Sequence, residues 1–359
     1  YAFWGFDVMT SVTLPEGVET IGLCAFRNCN RLPSITLPKS VTTIGEWAFA
    51  NSPFLGVVTV GWTEAGSIPN LPASAFSLPN AKVLHVPAGT AEMYRAKDEW
   101  KKLFIMDGKT AGGNFSTGLH WAYDDATRTL TISNPNPGTP KSMPDFGPLD
   151  QPWNAFKTQI ETVTIGDGVS SVGKFAFTNC AKLATVTLPD GLKTIGKNAF
   201  GGCEKLTSIN LPEGLKTIGE DAFAACFALS DLTIPKSVET IEGGVFYQCG
   251  SLTHVTLPDD AQLTTIGKNA FYQCRSLTNL TIPKNVTTIG QSAFSGCWDL
   301  RSLTLPDGVN TIGEKAFYDC LELTSITIPK SVTAIGQETF HYCVSLTSLT
   351  LPDALTTIG

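Results

Sequence analysis

The sequence predicts an α/β solenoid of short parallel β-strands and brief helical turns, and three observations carry that expectation. Eight cysteines, Cys180, Cys203, Cys226, Cys249, Cys274, Cys297, Cys320 and Cys343, recur at intervals of 23, 23, 23, 25, 23, 23 and 23 residues. Around each runs the pattern C-x-x-L-x-x-[IVL]-x-[LI]-P-x-x-[VL]-x-x-I-G-x-x-A-F-x-x, as in "CAKLATVTLPDGLKTIGKNAFGG". A period in this range means stacked supersecondary units, because one unit cannot bury its apolar side alone. Composition agrees: of 359 residues, 42% are hydrophobic and 16% charged, which suits a core-forming chain and not a disordered one.

Each part of the unit has a physical reading. In the unit that starts at Cys180, Leu183, Val186 and Leu188 point inward with polar residues between them, as in a short strand. Pro189-Asp190-Gly191 then turns the chain, proline ending the strand and glycine tolerating positive φ. Leu192 and Ile195 form a second short apolar segment, and Gly196 allows a corner. Ala199, Phe200 and Cys203 follow at the steps of a single helical turn with its apolar side inward. Stacked units bury these groups continuously, at ~1.5–3 kcal/mol per fully buried large side chain. The one 25-residue interval lengthens a surface turn at "LPDDAQLTTIG", where the core is undisturbed.

Two outer columns are expected to stack in register. Thr187, Asn210, Thr233, Thr256, Thr281, Thr304, Thr327 and Thr350 lie between the inward strand residues. In a parallel stack they form a ladder spaced about 4.8 Å apart. After the proline, Lys236, Asp259, Lys284, Asp307, Lys330 and Asp353 alternate in sign, so opposite charges are expected side by side, each exposed pair being weak.

The motif also runs from Tyr1 to about Val60, with Cys29 in phase and Phe6 and Ser52 standing in the cysteine column. It then decays. "LHVPAGT" still matches, but "TAEMYRAKDEWKKLF" reads as a helix with Thr90 as N-cap and Met93, Tyr94, Trp100, Leu103 and Phe104 facing inward. Its charged outer face suits the end of a solenoid. Within 108–156 the period disappears. "GLHWAYDDATRTLTIS" reads as a hairpin about Asp124-Asp125, and a proline-rich stretch from Asn134 to Pro152 carries Met143 and Phe146, followed by Trp153. The expected organisation is therefore a first array ending in a capping helix (1–107), an N-terminal cap (108–156) and a second array (157–359).

At this point a family resemblance is plain. "LTSITIPKSVTAIGQETFHYC" and its siblings resemble the BspA-type leucine-rich repeat of bacterial cell-surface and secreted proteins. "LHVPAGTAEMYRAKDEWKKL" and "HWAYDDATRTLTIS…MPDF…PWNAF" resemble that family's terminal modules. The resemblance covers nearly the whole chain. It implies a leucine-rich-repeat solenoid on an extracellular or cell-surface protein, often engaged in adhesion to a host or bacterial surface protein or glycan. It brings no catalytic residue and no cofactor. Because the chain opens and closes inside repeats, any signal or anchor is expected outside this segment.

Charge and chemistry narrow the partners. A net charge of −7 with no Lys/Arg block argues against nucleic acid and anionic membranes, and no apolar run approaches the ~20 residues that span a bilayer. No C-x-x-C pair or Cys-His cluster indicates zinc. Stacked cysteines would lie within disulfide reach, about 5–6 Å. Yet each sulfur should point into the core as a small hydrophobe, and Phe6 and Ser52 in the same column favour packing over bonding. Cys24 occupies a turn position and is expected to be exposed. His85, His120, His254 and His341 have no nucleophile or carboxylate at a motif spacing. No enzymatic role is expected, since one would need a carboxylate or histidine cluster on one face. Binding is expected where the repeat varies, just before and just after the cysteine. There Phe227, Tyr247, Tyr272, Trp298, Tyr318, His341 and Tyr342 form an aromatic ridge suited to a protein or glycan. The alternative is a structural stalk with no ligand of its own.

Overall fold

The computed structural model describes residues 1–76, 83–108 and 110–359, with Phe104 described by its backbone alone, so the inward placing expected of Phe104 lies outside the described side chains. The chain divides into two compact units. One comprises Tyr1–Gly113, Ala122–Thr127 and Pro152–Phe156; the other comprises Asn114–Trp121, Arg128–Gln151 and Lys157–Gly359.

In the second unit each repeat makes one coil of a parallel β-solenoid. The two-residue strands Thr194–Ile195, Thr217–Ile218, Thr240–Ile241, Thr265–Ile266, Thr288–Ile289 and Thr311–Ile312 stack threonine on threonine and isoleucine on isoleucine. A second wall contains Asp231–Thr233, His254–Thr256, Asn279–Thr281 and Ser302–Thr304 as one parallel sheet, and Ser325–Thr327 with Ser348–Thr350 as another. The expected ladder is present in part: Thr233 lies opposite Thr256, Thr281 opposite Thr304 and Thr327 opposite Thr350, while Thr256 and Thr281 are not paired and Thr304 and Thr327 belong to different sheets. Alternation explains both walls: in strands such as Asp231–Thr233 the middle residue is buried and its neighbours are exposed.

The interior consists of repeated columns. Leu183, Leu192, Ile195, Ala199, Phe200 and Cys203 are fully buried, and their counterparts repeat coil by coil. Eight phenyl rings from Phe177 to Phe340 stack at centroid spacings of 5.2–6.0 Å. The glycine that follows these Thr-Ile strands, except Thr240–Ile241 where Glu242 stands, permits the coils to approach. A Cβ on Gly196 would lie 2.7 Å from Lys174 N and 2.9 Å from Gly173 C, both backbone atoms.

The Ala-Phe-x-x-Cys segment is not the helical turn the spacing suggests. It is a run of turns in which Asn198 and Gly202 adopt positive φ, at 52° and 74°. These reversals aim every second N–H along the stack: Asn198, Phe200 and Gly202 donate to the carbonyls of Glu220, Ala222 and Ala224 in the next coil. A helical turn would direct those donors within its own coil. Asn and Gly are the residues that tolerate this conformation at least cost.

The first unit follows the same plan. Ser34–Leu37, Val57–Val60, Val83–Val86 and Phe104–Asp107 are parallel neighbours, and Thr110–Asn114 pairs antiparallel with Phe104–Asp107. The expected long helix is broken into Ala91–Arg95 and a 3-10 turn, Trp100–Lys102. Tyr94, Trp100 and Leu103 are buried as expected, and Met93 is partly buried. Thr90 makes no side-chain cap; its hydroxyl donates to Pro87 O at 2.6 Å instead. The break follows from the core: Trp62, Tyr94 and Trp100 pack edge-to-face, and Trp100 Nε1 donates to Pro69 O at 2.9 Å. Holding Trp100 there requires the chain to leave the helix path.

Two smaller expectations also fail. Cys24 is buried, because its positive φ of 56° turns the side chain inward while Arg27 covers its sulfur. On the charged ridge, the close pair among the described residues is Lys236–Asp260 at 3.7 Å, so Asp260 of the lengthened turn takes the place assigned to Asp259. In 114–151 the hairpin arms are the strands His120–Asp124 and Thr129–Ser133. The proline-rich stretch is tied down by Lys141–Ser142 pairing with Val169–Val172, and by Gln151 donating to Phe175 O.

Candidate binding surface

From Cys180 to Cys297 the cysteine column is a set of buried free thiols, whereas Cys343 at its end is partly exposed and its contact with Cys320 lowers its pKa. All ten cysteines are free, and the eight in phase from Cys29 to Cys320 are fully buried. From Cys203 to Cys343, each sulfur donates to the carbonyl of the phenylalanine one column over in the preceding coil, at 3.1–3.3 Å. Ser52 does the same with oxygen, reaching Phe26 O at 3.0 Å. Packing alone therefore does not explain the column, because each thiol adds a second donor, worth about 0.5–1.5 kcal/mol, to a carbonyl that from Phe177 to Phe294 already accepts the N–H of the cysteine in its own coil. Burial pushes the Cys180 and Cys249 thiols up to about 12 and raises Cys203, Cys226 and Cys274 well above the ordinary thiol value. Thiols held neutral this way are poor nucleophiles and poor metal ligands. Among the described residues no group of three or more His, Cys, Asp or Glu side chains could hold a metal ion.

The aromatic residues beside the cysteines lie on the outside. Phe227 and Trp298 are 46% and 36% exposed, His341 and Tyr342 are exposed, and Tyr247, Tyr272 and Tyr318 are half-buried. The structure brings them together in groups. Tyr247 stacks on Tyr272 with centroids 4.8 Å apart and planes at 7°. Tyr318 stacks on His341 at 5.4 Å and meets Tyr342 edge-on at 5.8 Å. Between these groups Ser295 is buried, so the ridge is interrupted for one coil. Trp298 is pinned from two sides: Arg275 sits 4.2 Å over its ring and its Nε1 donates to Asp319 Oδ2 at 2.8 Å. Phe227 has no aromatic partner among the described residues and stands alone. Rings held in place lose little rotamer freedom on binding.

Sequence reading missed a polar cluster on the strand wall. His254 Nδ1 lies 3.2 Å from Asp231 Oδ1 and 3.0 Å from Thr253 Oγ1. Thr253 Oγ1 donates to Ser230 O, so it is free to accept from Nδ1–H, as Asp231 Oδ1 also is. The His254 side chain is 71% exposed. Asn279 is the register partner of His254 on the other side. These residues are 23 and 25 positions apart, so no local motif joins them. The signal was in the repeat: five places after the cysteine, positions 185, 208, 302, 325 and 348 hold Thr or Ser, whereas 231, 254 and 279 do not.

A parallel solenoid with a repeated interior, two varied outer surfaces and free buried thiols defines a leucine-rich-repeat scaffold. The BspA type leucine rich repeat region matches in six copies over residues 1–95, 153–275 and 264–359, and the chain belongs to that family. Similar solved structures include a leucine rich cell surface protein from Faecalibacterium prausnitzii A2-165, with 26% identity, 96% of this chain and 86% of that one covered, and a TM-score of 0.44. A leucine-rich repeat protein from Eubacterium ventriosum is 23% identical over 69% of this chain and 87% of its own, with a TM-score of 0.33. The leucine rich repeat protein of T. pallidum is 24% identical over 57% and 87%, with a TM-score of 0.37. Among curated proteins none matches. No helix among the described residues is long and apolar enough to cross a membrane.

Proposed function

We propose that this chain is an extracellular or cell-surface binding module that recognises a protein or glycan through the ridge of Phe227, Tyr247, Tyr272, Trp298, Tyr318, His341 and Tyr342. The observation that carries the reading is Trp298, a partly exposed indole held by Arg275 on one face and Asp319 at its edge. Core packing gives no reason to fix an aromatic ring on the outside, whereas a preorganised ring lowers the ordering cost of binding. Family membership and the surface location of a similar F. prausnitzii protein support it. Within the same reading, 1–107 is the end of one array with its capping segment, 108–156 the cap of the next, and 157–359 the array that binds.

The test replaces Tyr247, Tyr272, Trp298 and Tyr318 with serine in the whole chain and measures attachment to host cells and to bacterial surfaces. Loss of attachment with an unchanged melting profile is expected. Unchanged attachment would leave the stalk reading, which the uninterrupted phenyl stack favours.

A further inference from the structure

The strand wall departs from its threonine and serine pattern at one place. Asp231, His254 and Asn279 are neighbours in register, Asp231 opposite His254 and His254 opposite Asn279. Two shallow depressions flank the Asp231–His254 pair. One of about 260 Å³ opens between the segment 208–211 and the strand Asp231–Thr233. The other, of about 290 Å³, opens between 254–257 and Asn279–Thr281.

Both depressions arise where the coils pair loosely. The segment 208–211 touches the next strand through a single bridge, Ser208 to Asp231. His254–Thr256 pairs with Asn279–Thr281 only at His254, whereas Asn279–Thr281 pairs with Ser302–Thr304 at all three positions. The looser pairing at the second depression falls in the one coil with two extra residues, whose longer turn follows His254–Thr256 directly. A longer turn removes the constraint that keeps successive strands in step.

Their linings have two chemistries. Hydroxyls, amides, a carboxylate and an imidazole form the rims: Ser208, Asn210 and Asp231 at the first, His254, Asn279 and Thr281 at the second. Ile209 and Leu232 underlie the first, Val255 and Leu280 the second. A pyranose ring has the matching form, an apolar C–H face and an edge of hydroxyls. Two coil steps separate the depressions, about 10 Å, which suits two non-adjacent rings of one extended chain. The ring between them would pass over the Asp231 carboxylate, which accepts from hydroxyls, and the exposed His254 imidazole, whose ring nitrogens can also bond them. Neither depression is lined by Lys or Arg, so the fit is to an uncharged sugar.

We infer that the strand wall around Asp231, His254 and Asn279 is a paired subsite for an extended, uncharged oligosaccharide, distinct from the aromatic ridge. This rests on the reading of the chain as a binding protein, and the experiment separates the two. Titration calorimetry of the whole chain with cellohexaose, mannohexaose and N-acetylated chitohexaose is expected to show binding of at least one of them. The matching disaccharide is expected to bind far more weakly, since it reaches one depression only. Asp231→Ala and His254→Ala should each weaken hexasaccharide binding by about tenfold, the loss of one hydrogen bond to a charged or strongly polar group. Melting should not change, since their side chains are 65% and 71% exposed. Thr281→Trp, which fills the second depression, should reduce the hexasaccharide to the affinity of the disaccharide. Three results overturn the inference: no binding of any hexasaccharide, unchanged binding in His254→Ala and Thr281→Trp, or loss of binding in Tyr272→Ser and Trp298→Ser alone. The last of these removes the strand-wall site while leaving the ridge reading intact.

Discussion

The two compact units use one repeat differently. In the second unit the column that follows the phenylalanine holds cysteine in eight coils, and the phenyl stack runs from Phe177 to Phe340. In the first unit the same column reads Phe6, Cys29, Ser52, and the stack of Phe3, Phe26, Phe49 and Phe76 is only four rings long. Beyond Val60 the repeat gives way to the cluster of Trp62, Tyr94 and Trp100. The difference teaches that the unit is specified by nearest-neighbour contacts, so a coil can change wherever its neighbours accept the change. Ser52 is such a change, keeping the donor to the preceding phenylalanine carbonyl while altering its element.

The strongest way to break this comparison is to remove a feature that only one unit has. Trp100→Ala should destabilise the first unit by roughly 3–5 kcal/mol, since the ring is buried and its Nε1 is bonded. Urea unfolding monitored by tryptophan emission would show it, and a loss below ~1 kcal/mol would mean the cluster is not the organising contact. Gly290→Ala is the matching lesion in the second unit. Its Cβ would sit 2.6 Å from Gly267 C and from Lys268 N. A cost of roughly 3 kcal/mol is expected, against almost none for Gly191→Ala, where nothing lies within 4 Å.

Next in size is the shared hydrogen bond. Cys274→Ala should cost about 0.5–1.5 kcal/mol by removing the second donor to Phe246 O, which keeps the Cys249 N–H, and Ser52→Ala about 1–3 kcal/mol by stranding Phe26 O. Cys274→Ser should recover part of the loss. If alanine and serine behave alike at both positions, the column is packing alone.

A histidine-linked pH effect should mark the first unit. His85 is half-buried on the strand Val83–Val86, and burial lowers its pKa, with Asp125 opposing. A base whose folded pKa is depressed binds protons more readily unfolded. Stability is therefore complete above the unfolded value near 6.5 and falls as pH drops through it. The first unit should melt earlier at pH 5 than at pH 7.5 and His85→Gln should flatten the difference; equal slopes in both proteins would refute this. The smallest effect belongs to the outer surface. Lys197–Glu220 joins successive coils with side chains 40% and 50% exposed, so a double-mutant cycle should give under ~1 kcal/mol, vanishing in salt.

Much of the architecture was legible because it repeats. The inward set of Leu183, Ile195, Ala199, Phe200 and Cys203 is fixed by apolar spacing, and the threonine ladder follows from strand alternation. The residues proposed for the ridge stand out in the sequence as variations beside a repeated cysteine column. Turn conformation was not: Ala-Phe-x-x-Cys has helical spacing, and only inter-coil donors such as Phe200 N to Ala222 O decide in favour of alternating turns. Cys24 and Thr90 were misplaced for local reasons that residue type does not state: Cys24 adopts a positive φ, and the Thr90 hydroxyl donates back to Pro87 O instead of accepting from the helix.

By itself, then, the sequence determined the period, the inward columns, the parallel stacking and the family, because each depends on side-chain type at a fixed interval. Only the tertiary structure decided which outward residues meet. Asp231 and His254 become neighbours because the coil between them closes in register. Trp298 is clamped because Arg275 and Asp319 arrive from the coils on either side. Such contacts depend on how neighbouring coils settle against each other, which spacing along the chain does not specify.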